Sequence, residues 1–137
     1  MKIVSACLAG LNCRCDGDDK SCPKIVEMVR EGKAIPVCPE QLGGLPTPRL
    51  PSEQKGDRVF TKDGQEVTEQ FKKGAQAALE IAQLFNCKEA ILKSKSPSCG
   101  CGKVFDGTFS GNLIDSDGVT TKLFKENNIN VLTEKDL

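Results

Sequence analysis

The chain has no histidine, no tryptophan and no tyrosine. Without histidine it lacks the commonest general base and the commonest nitrogen ligand for metals. Acid–base chemistry then falls to Glu, Asp, Lys, Cys or Ser, and metal ligation to sulfur or oxygen. There is no excess charge of either sign: 19 basic residues balance 19 acidic ones. No basic stripe with stacking aromatics is present, so a nucleic-acid polymer is not the expected partner, and neither is an anionic membrane. No apolar run approaches the ~20 residues of a membrane span. The segment Met1–Cys7 is too short, and too polar at Lys2 and Ser5, for a signal peptide. The expectation is a cytoplasmic protein whose thiols stay reduced. The 137 residues predict one domain, 1–137, with a core large enough to need no disulfide. The oligomeric state is left open.

Eight cysteines in such a compartment are metal ligands, catalytic thiols or small buried residues. The paired Cys-x-x-Cys knuckles of structural zinc sites are missing. So is the compact Cys-x-x-Cys-x-x-Cys run of electron-transfer ferredoxins.

The chain alternates apolar runs with helical patterns. Lys2–Cys7 reads as a buried strand. Asp16-Gly17 marks a turn, and Ser21 is placed to cap a helix with Pro23 in its first turn, an apolar face at Ile25, Val26, Met28 and Val29, and Gly32 at its end. Ala34–Cys38 is a second strand, and residues 39–58, rich in proline and glycine, a long loop. Val59–Val67 predicts a small hairpin about Asp63-Gly64. Thr68 is the expected cap of a helix through Phe85, with Phe71, Ala75, Ala78, Leu79, Ala82 and Phe85 as its stripe. Ala90–Lys93 is a third strand, 94–117 a second long loop, Asp117 the cap of a short helix, and Ile129–Thr133 the last strand. This order predicts an α/β fold: a small parallel, Rossmann-like sheet between helices in three layers.

In such sheets ligands bind beyond the carboxyl ends of the strands. Cys7 and Cys38 end the first two strands, and Cys99 follows the third by a short loop. One cysteine at a strand end is as readily core packing as a ligand. Three at equivalent ends fit a metal centre better, such as three irons of a four-iron cluster with the fourth open as a Lewis acid. Cys87 reads as packing and Cys22 as a thiol near a helix start. Cys13, Cys15 and Cys101 are substitute ligands or sulfur acceptors. Glu40 stands two residues after Cys38, stiffened by Pro39. Its plainer reading is a solvated loop carboxylate, and that of Ser96 a turn hydroxyl. Gly43 and Gly44 permit close backbone approach to a ligand, and Arg49 suits a carboxylate or a polar ligand edge.

The motifs resemble a known bacterial family. Ser5-Ala6-Cys7-Leu8-Ala9-Gly10, with Cys13-Arg14 and Asp16-Gly17, is similar to the opening of thiouracil desulfidases, long catalogued as a domain of unknown function. Cys38-Pro39-Glu40 with Gly43-Gly44-Leu45 and Pro48-Arg49 resembles their second motif. Lys93 with Ser96-Pro97-Ser98-Cys99-Gly100 resembles the third, and Asp106-Gly107-Thr108-Phe109-Ser110-Gly111 the fourth. The resemblance implies a 4Fe–4S cluster held by Cys7, Cys38 and Cys99, with Glu40 and Ser96 catalytic. It implies removal of sulfur from a thiolated pyrimidine, a small molecule, without net redox change. Gly43, Gly44, Arg49 and Ser98 are the expected substrate-binding residues. Cys15 stands where the family usually has tyrosine, and Cys101 is an extra thiol. The competing expectations are a non-catalytic zinc or iron–sulfur module and a thiol-based sulfur carrier.

Overall fold

A computed structural model describes all 137 residues. In chain order the elements are β1 (Lys2–Ser5), α1 (Pro23–Arg30), β2 (Ala34–Val37), α2 (Pro39–Leu42), β3 (Ser52–Lys55), β4 (Arg58–Thr61) and α3 (Thr68–Leu84). They continue as β5 (Glu89–Leu92), β6 (Lys103–Phe105), β7 (Leu113–Asp115), α4 (Val119–Glu126) and β8 (Asn130–Thr133). Four strands form a parallel sheet in the order β2-β1-β5-β8. Successive strand residues point to opposite faces, and both faces are apolar. Ile3, Ala90 and Leu92 meet α3 and α4 through Ala78, Leu79, Ala82 and Phe124. Val4 and Ile91 meet α1 through Ile25 on the other side. The three-layer α/β/α fold expected of the alternating pattern is the one observed.

The edges of the elements differ from the sequence reading where a non-local partner intervenes. β1 stops at Ser5 because Ala6–Ala9 winds into a 3-10 turn closed by Gly10 at φ 95°. Cys7 therefore sits on a turn, not in the strand. The cap of α1 is Cys22, with no side-chain bond, while the Ser21 hydroxyl donates to Asp19 instead. Thr68 is the first residue of α3, not its cap: its hydroxyl accepts from the Val59 N–H at 2.9 Å and donates to Glu66. Phe85 lies past the end of α3 and is 49 % exposed, so it leaves the stripe. Gly118, not Asp117, precedes α4, because any side chain there would strike the Ser98 carbonyl. Asp117 accepts from the Gly102 N–H and from Lys125.

Both long loops contain regular structure. The hairpin expected over 59–67 is displaced: β4 pairs antiparallel with β3, and only a single bridge, Phe60 to Glu66, lies across the Asp63-Gly64 turn. β6 and β7 form a second hairpin. These strands are three or four residues long, too short to carry a periodicity of their own.

The position of α2 is set by glycine. A Cβ on Gly43 would lie 2.0 Å from the Gln70 carbonyl, and one on Gly74 would lie 1.7 Å from the Pro39 carbonyl. The backbones of α2 and α3 touch directly, and that contact locates Cys38, Pro39 and Glu40. Gly43 is thus a packing residue, and it does not line the cleft described below. Gly44, at φ 94°, permits the turn out of α2 and does not line the cleft described below. A methyl group at residue 74 must push α2 away from α3. Gly74→Ala is expected to cost ~1–3 kcal/mol, the usual range for overpacking. Urea unfolding of the metal-free protein measures it, and an unchanged midpoint would show that the contact yields.

Candidate active site

A cleft of about 380 Å³ opens beyond the carboxyl ends of β1, β2 and β5. The chain steps from β1 outward to β2 and then back past β1 to β5, so the cleft lies where the winding of the sheet reverses, the usual ligand position in such folds. Cys7, Cys38 and Cys99 all line it. Cys7 arrives on the 3-10 turn, Cys38 on the residue before α2, and Cys99 on the turn after β5. The Ser96 hydroxyl accepts from the N–H groups of Ser98 and Cys99, at 3.1 and 3.0 Å, and so shapes that turn. The Cys99 carbonyl accepts from Thr121 at 2.8 Å.

A fourth thiol shares the cleft. Cys13 is buried beside Cys7 and Cys38, and the Cys38 thiol donates to its carbonyl at 3.7 Å. The Cys38 thiol lowers its pKa, but the Cys7 thiol and burial outweigh it, and Cys13 stands at about 11. The Cys13 thiol and burial raise Cys38 above the ordinary thiol range. Burial raises Cys99 to about 12, against an opposing bond from Ser5. No three Cys, Asp or Glu side chains converge on one point as a single metal ion requires. Cluster ligands need not converge, because each binds a different iron. All-sulfur donors, apolar surroundings and no imidazole suit iron–sulfur chemistry.

The remaining cysteines separate. Cys15 lines the cleft and is partly exposed. The thiol of Cys101 points to the Val131 carbonyl and packs on the α3–α4 side of the sheet, away from the cleft. Cys87 is core. Cys22 packs against the core beneath α1.

Glu40 is largely out of water, with 16 % of its side chain exposed, and Arg49 still more so at 7 %. Arg49 Nε donates to Glu40 Oε1 at 3.0 Å. Its other nitrogens donate to the Pro46 carbonyl, the Thr47 hydroxyl and the Cys13 carbonyl, at 3.0, 3.1 and 3.0 Å. Arg49 does hold a carboxylate, but one belonging to the chain itself. Burial pushes the Glu40 carboxyl above its ordinary range, and the Arg49 charge only partly offsets this. Ser98 is not brought to the cleft: it is buried, and its hydroxyl is shared with Thr120 at 2.7 Å.

The sequence did not show the bonds that several supporting groups make. Gln54 is buried on β3 and donates to the carbonyls of Pro97 and Asp117, at 2.7 and 3.0 Å. Glu53 beside it accepts from the N–H groups of Gly107 and Phe109, at 3.0 and 3.1 Å. β3 therefore straps the Ser96–Cys99 turn and the 106–111 loop together. Lys93, at the end of β5, donates to Ser94 and pairs with Glu134 at 3.1 Å, while Glu134 accepts from the Ser94 N–H at 2.7 Å. No local signal marks these long-range bonds.

With this geometry in place, comparison with known proteins is decisive. Residues 3–136 match the family model described as 2-thiouracil desulfurase. The chain belongs to the 2-thiouracil desulfurase family. It is similar to the uncharacterized protein YbbK of Bacillus subtilis (strain 168), 41 % identical over 147 aligned positions, covering 100 % of this chain and 97 % of that protein. It is also similar to a solved structure of the 4Fe–4S-dependent thiouracil desulfidase TudS, 42 % identical with a TM-score of 0.94, over 98 % of this chain and 91 % of the other. No helix of this family member is long and apolar enough to cross a membrane.

The Glu134 network generates a pH dependence. Burial alone would raise the Glu134 carboxyl, but the Ser94 N–H and Lys93 hold it below its ordinary 4.5. A carboxylate with a depressed folded pKa contributes stability that is complete above the unfolded value and disappears as pH falls through the folded value. Glu134→Gln is expected to lower stability by ~1 kcal/mol at pH 7, a small figure because the group is partly in water. The difference from the parent should shrink as the pH falls below the ordinary 4.5 and close once the Glu134 carboxyl is protonated in the folded protein. Unfolding curves at a series of pH values check this; a gap that persists at low pH would assign the loss to packing.

Proposed function

We propose that this chain is a cluster-dependent desulfidase that replaces the sulfur of a thiolated pyrimidine with oxygen from water, with no net redox change. One observation carries the reading: thiols from the ends of three adjacent parallel strands share a cleft with a largely buried carboxylate. In the balanced reaction the thiocarbonyl carbon loses sulfur and gains the water oxygen. The two protons of water leave with the sulfur as hydrogen sulfide, and no electrons are exchanged.

Cys7, Cys38 and Cys99 are the residues that would hold a 4Fe–4S cluster. When bound, the cluster supplies a Lewis-acidic iron with an open position for sulfur. The protein's own groups handle protons. Arg49 fixes Glu40 through Oε1, which leaves the other oxygen to take a proton from water. A carboxyl whose pKa is lifted toward neutrality is suited to that transfer. The Ser96 hydroxyl accepts two N–H bonds, and its own hydrogen remains to be donated toward the substrate. Two N–H groups on one hydroxyl oxygen also favour negative charge developing there. A free base, in a reduced cytoplasm, fits the zero net charge and the modest cleft better than a polymer does.

Anaerobic reconstitution should give about four irons and four sulfides per chain, the content of the proposed cluster. The product of 2-thiouracil should be uracil, with one sulfide released per turnover. Glu40→Gln should keep its iron and lose ~10²–10⁴-fold in turnover, the usual share of an acid–base group. Cys38→Ser should lose the cluster itself. Full activity in Glu40→Gln with iron intact would remove Glu40 from the chemistry. A zinc-loaded, colourless active protein would remove the cluster.

A further inference from the structure

The cleft is lined by one aromatic residue, Phe105. The chain holds six phenylalanines and no tyrosine or tryptophan. Phe71 and Phe124 are fully buried in the core, and Phe60, Phe85 and Phe109 do not line the cleft. Phe105 is half-buried and packs in none of the three apolar clusters of the molecule. Its neighbour on β6, Val104, is the anchor of that strand, fully buried and packed on Gly100. Successive strand residues point to opposite faces, so Phe105 is turned away from the packing that holds Val104.

The backbone sets that residue beside the Ser96 turn. Lys95 and Val104 pair in a parallel bridge, and the next residue along is Ser96 on one segment and Phe105 on the other. Ser96 lines the cleft as well. β3 pins both segments: Gln54 donates to the Pro97 carbonyl at 2.7 Å, and Glu53 accepts from the Gly107 N–H, two residues past Phe105, at 3.0 Å. Phe105 also pairs with Leu113 across the β6–β7 hairpin. A phenyl ring on a fixed backbone, unclaimed by core packing, suits the flat face of a heteroaromatic ring. A pyrimidine base offers such a face whatever its substituents.

We propose that Phe105 is a substrate-binding residue whose ring stacks on the face of the thiolated pyrimidine. The proposal rests on the desulfidase reading above and deepens it: the site takes a planar, aromatic thione in preference to a puckered one. A stack confines the base to one plane and leaves its edge, which carries the sulfur, open to Glu40 and Ser96. Stacking is made equally in the ground state and the transition state, so its loss falls on KM and not on kcat.

The test compares 2-thiouracil with 5,6-dihydro-2-thiouracil, which keeps the thiocarbonyl and the ring carbonyl but loses the flat aromatic face. Both are assayed on reconstituted wild type, Phe105→Leu and Phe105→Tyr, with iron content measured on each. KM is read for each thione, or an inhibition constant against 2-thiouracil where turnover is too slow to follow. In Phe105→Leu, which keeps apolar bulk without a ring, the constant for 2-thiouracil should rise ~5–100-fold with iron and kcat nearly unchanged. The constant for the dihydro compound should rise much less, and Phe105→Tyr should stay near wild type for both. Equal rises for the two thiones overturn the proposal, as do an unaltered constant in Phe105→Leu and a Phe105→Tyr that behaves like Phe105→Leu. A second readout needs no turnover and decides the matter should Phe105→Leu lose its iron. Phe105→Trp gives the chain its only tryptophan, whose emission should be quenched saturably by uracil. Phe85→Trp, exposed beyond α3, should not respond. Emission from Phe105→Trp that ignores uracil at concentrations that inhibit the enzyme overturns the proposal. If the wild type desulfurates neither thione, the desulfidase reading itself fails and the proposal with it, a result distinct from equal rises.

Discussion

Arg49 is almost wholly out of water, and a guanidinium there must be surrounded by acceptors. The acceptors come from separate parts of the chain: the Glu40 carboxylate from α2, the Pro46 carbonyl and Thr47 hydroxyl from the turn beyond it, and the Cys13 carbonyl from the loop after β1. The Arg49 N–H also donates to the Cys15 carbonyl. One side chain thus joins the loop that carries Cys13 to the short helix that follows Cys38. Withdrawing the Glu40 carboxylate would strand a buried charge, and so the position of Glu40 is determined along with that of Arg49. The planar fork matters as well as the charge, because several acceptors in different directions are met at once.

The opposite wall of the cleft is held by other means. β3 carries Glu53 and Gln54 side by side, and each reaches a different loop: Glu53 the 106–111 turn, Gln54 the carbonyl next to Ser96 and Cys99. The site residues lie on loops, and loops keep a geometry only when their backbone polar groups are bonded. Here the bonds come from a polar strand that belongs to no larger sheet. The glycine contact between α2 and α3 does the same for Cys38 and Glu40 by steric means. A site without histidine therefore rests on a carboxylate, a hydroxyl and sulfur, each pinned by its surroundings.

The sequence by itself determined the layered architecture, because strand and helix periodicities are local and β1, α1, β2, α3, β5, α4 and β8 each carry a clear one. It also determined that Cys7, Cys38 and Cys99 stand at the ends of parallel strands, which is enough to bring them to one edge of the sheet. Glu40 and Ser96 were singled out through their neighbours in sequence, and both line the cleft. Tertiary structure alone decided what each polar group meets. Gly43 read as a residue for close ligand approach, yet it faces the backbone of α3; Ser98 read as a substrate contact, yet it meets Thr120. Arg49 read as a ligand clamp, yet it grips Glu40. Hydrogen-bond partners and backbone contacts lie tens of residues away along the chain, and a residue's type shows what it can bond but not what the fold will place in front of it.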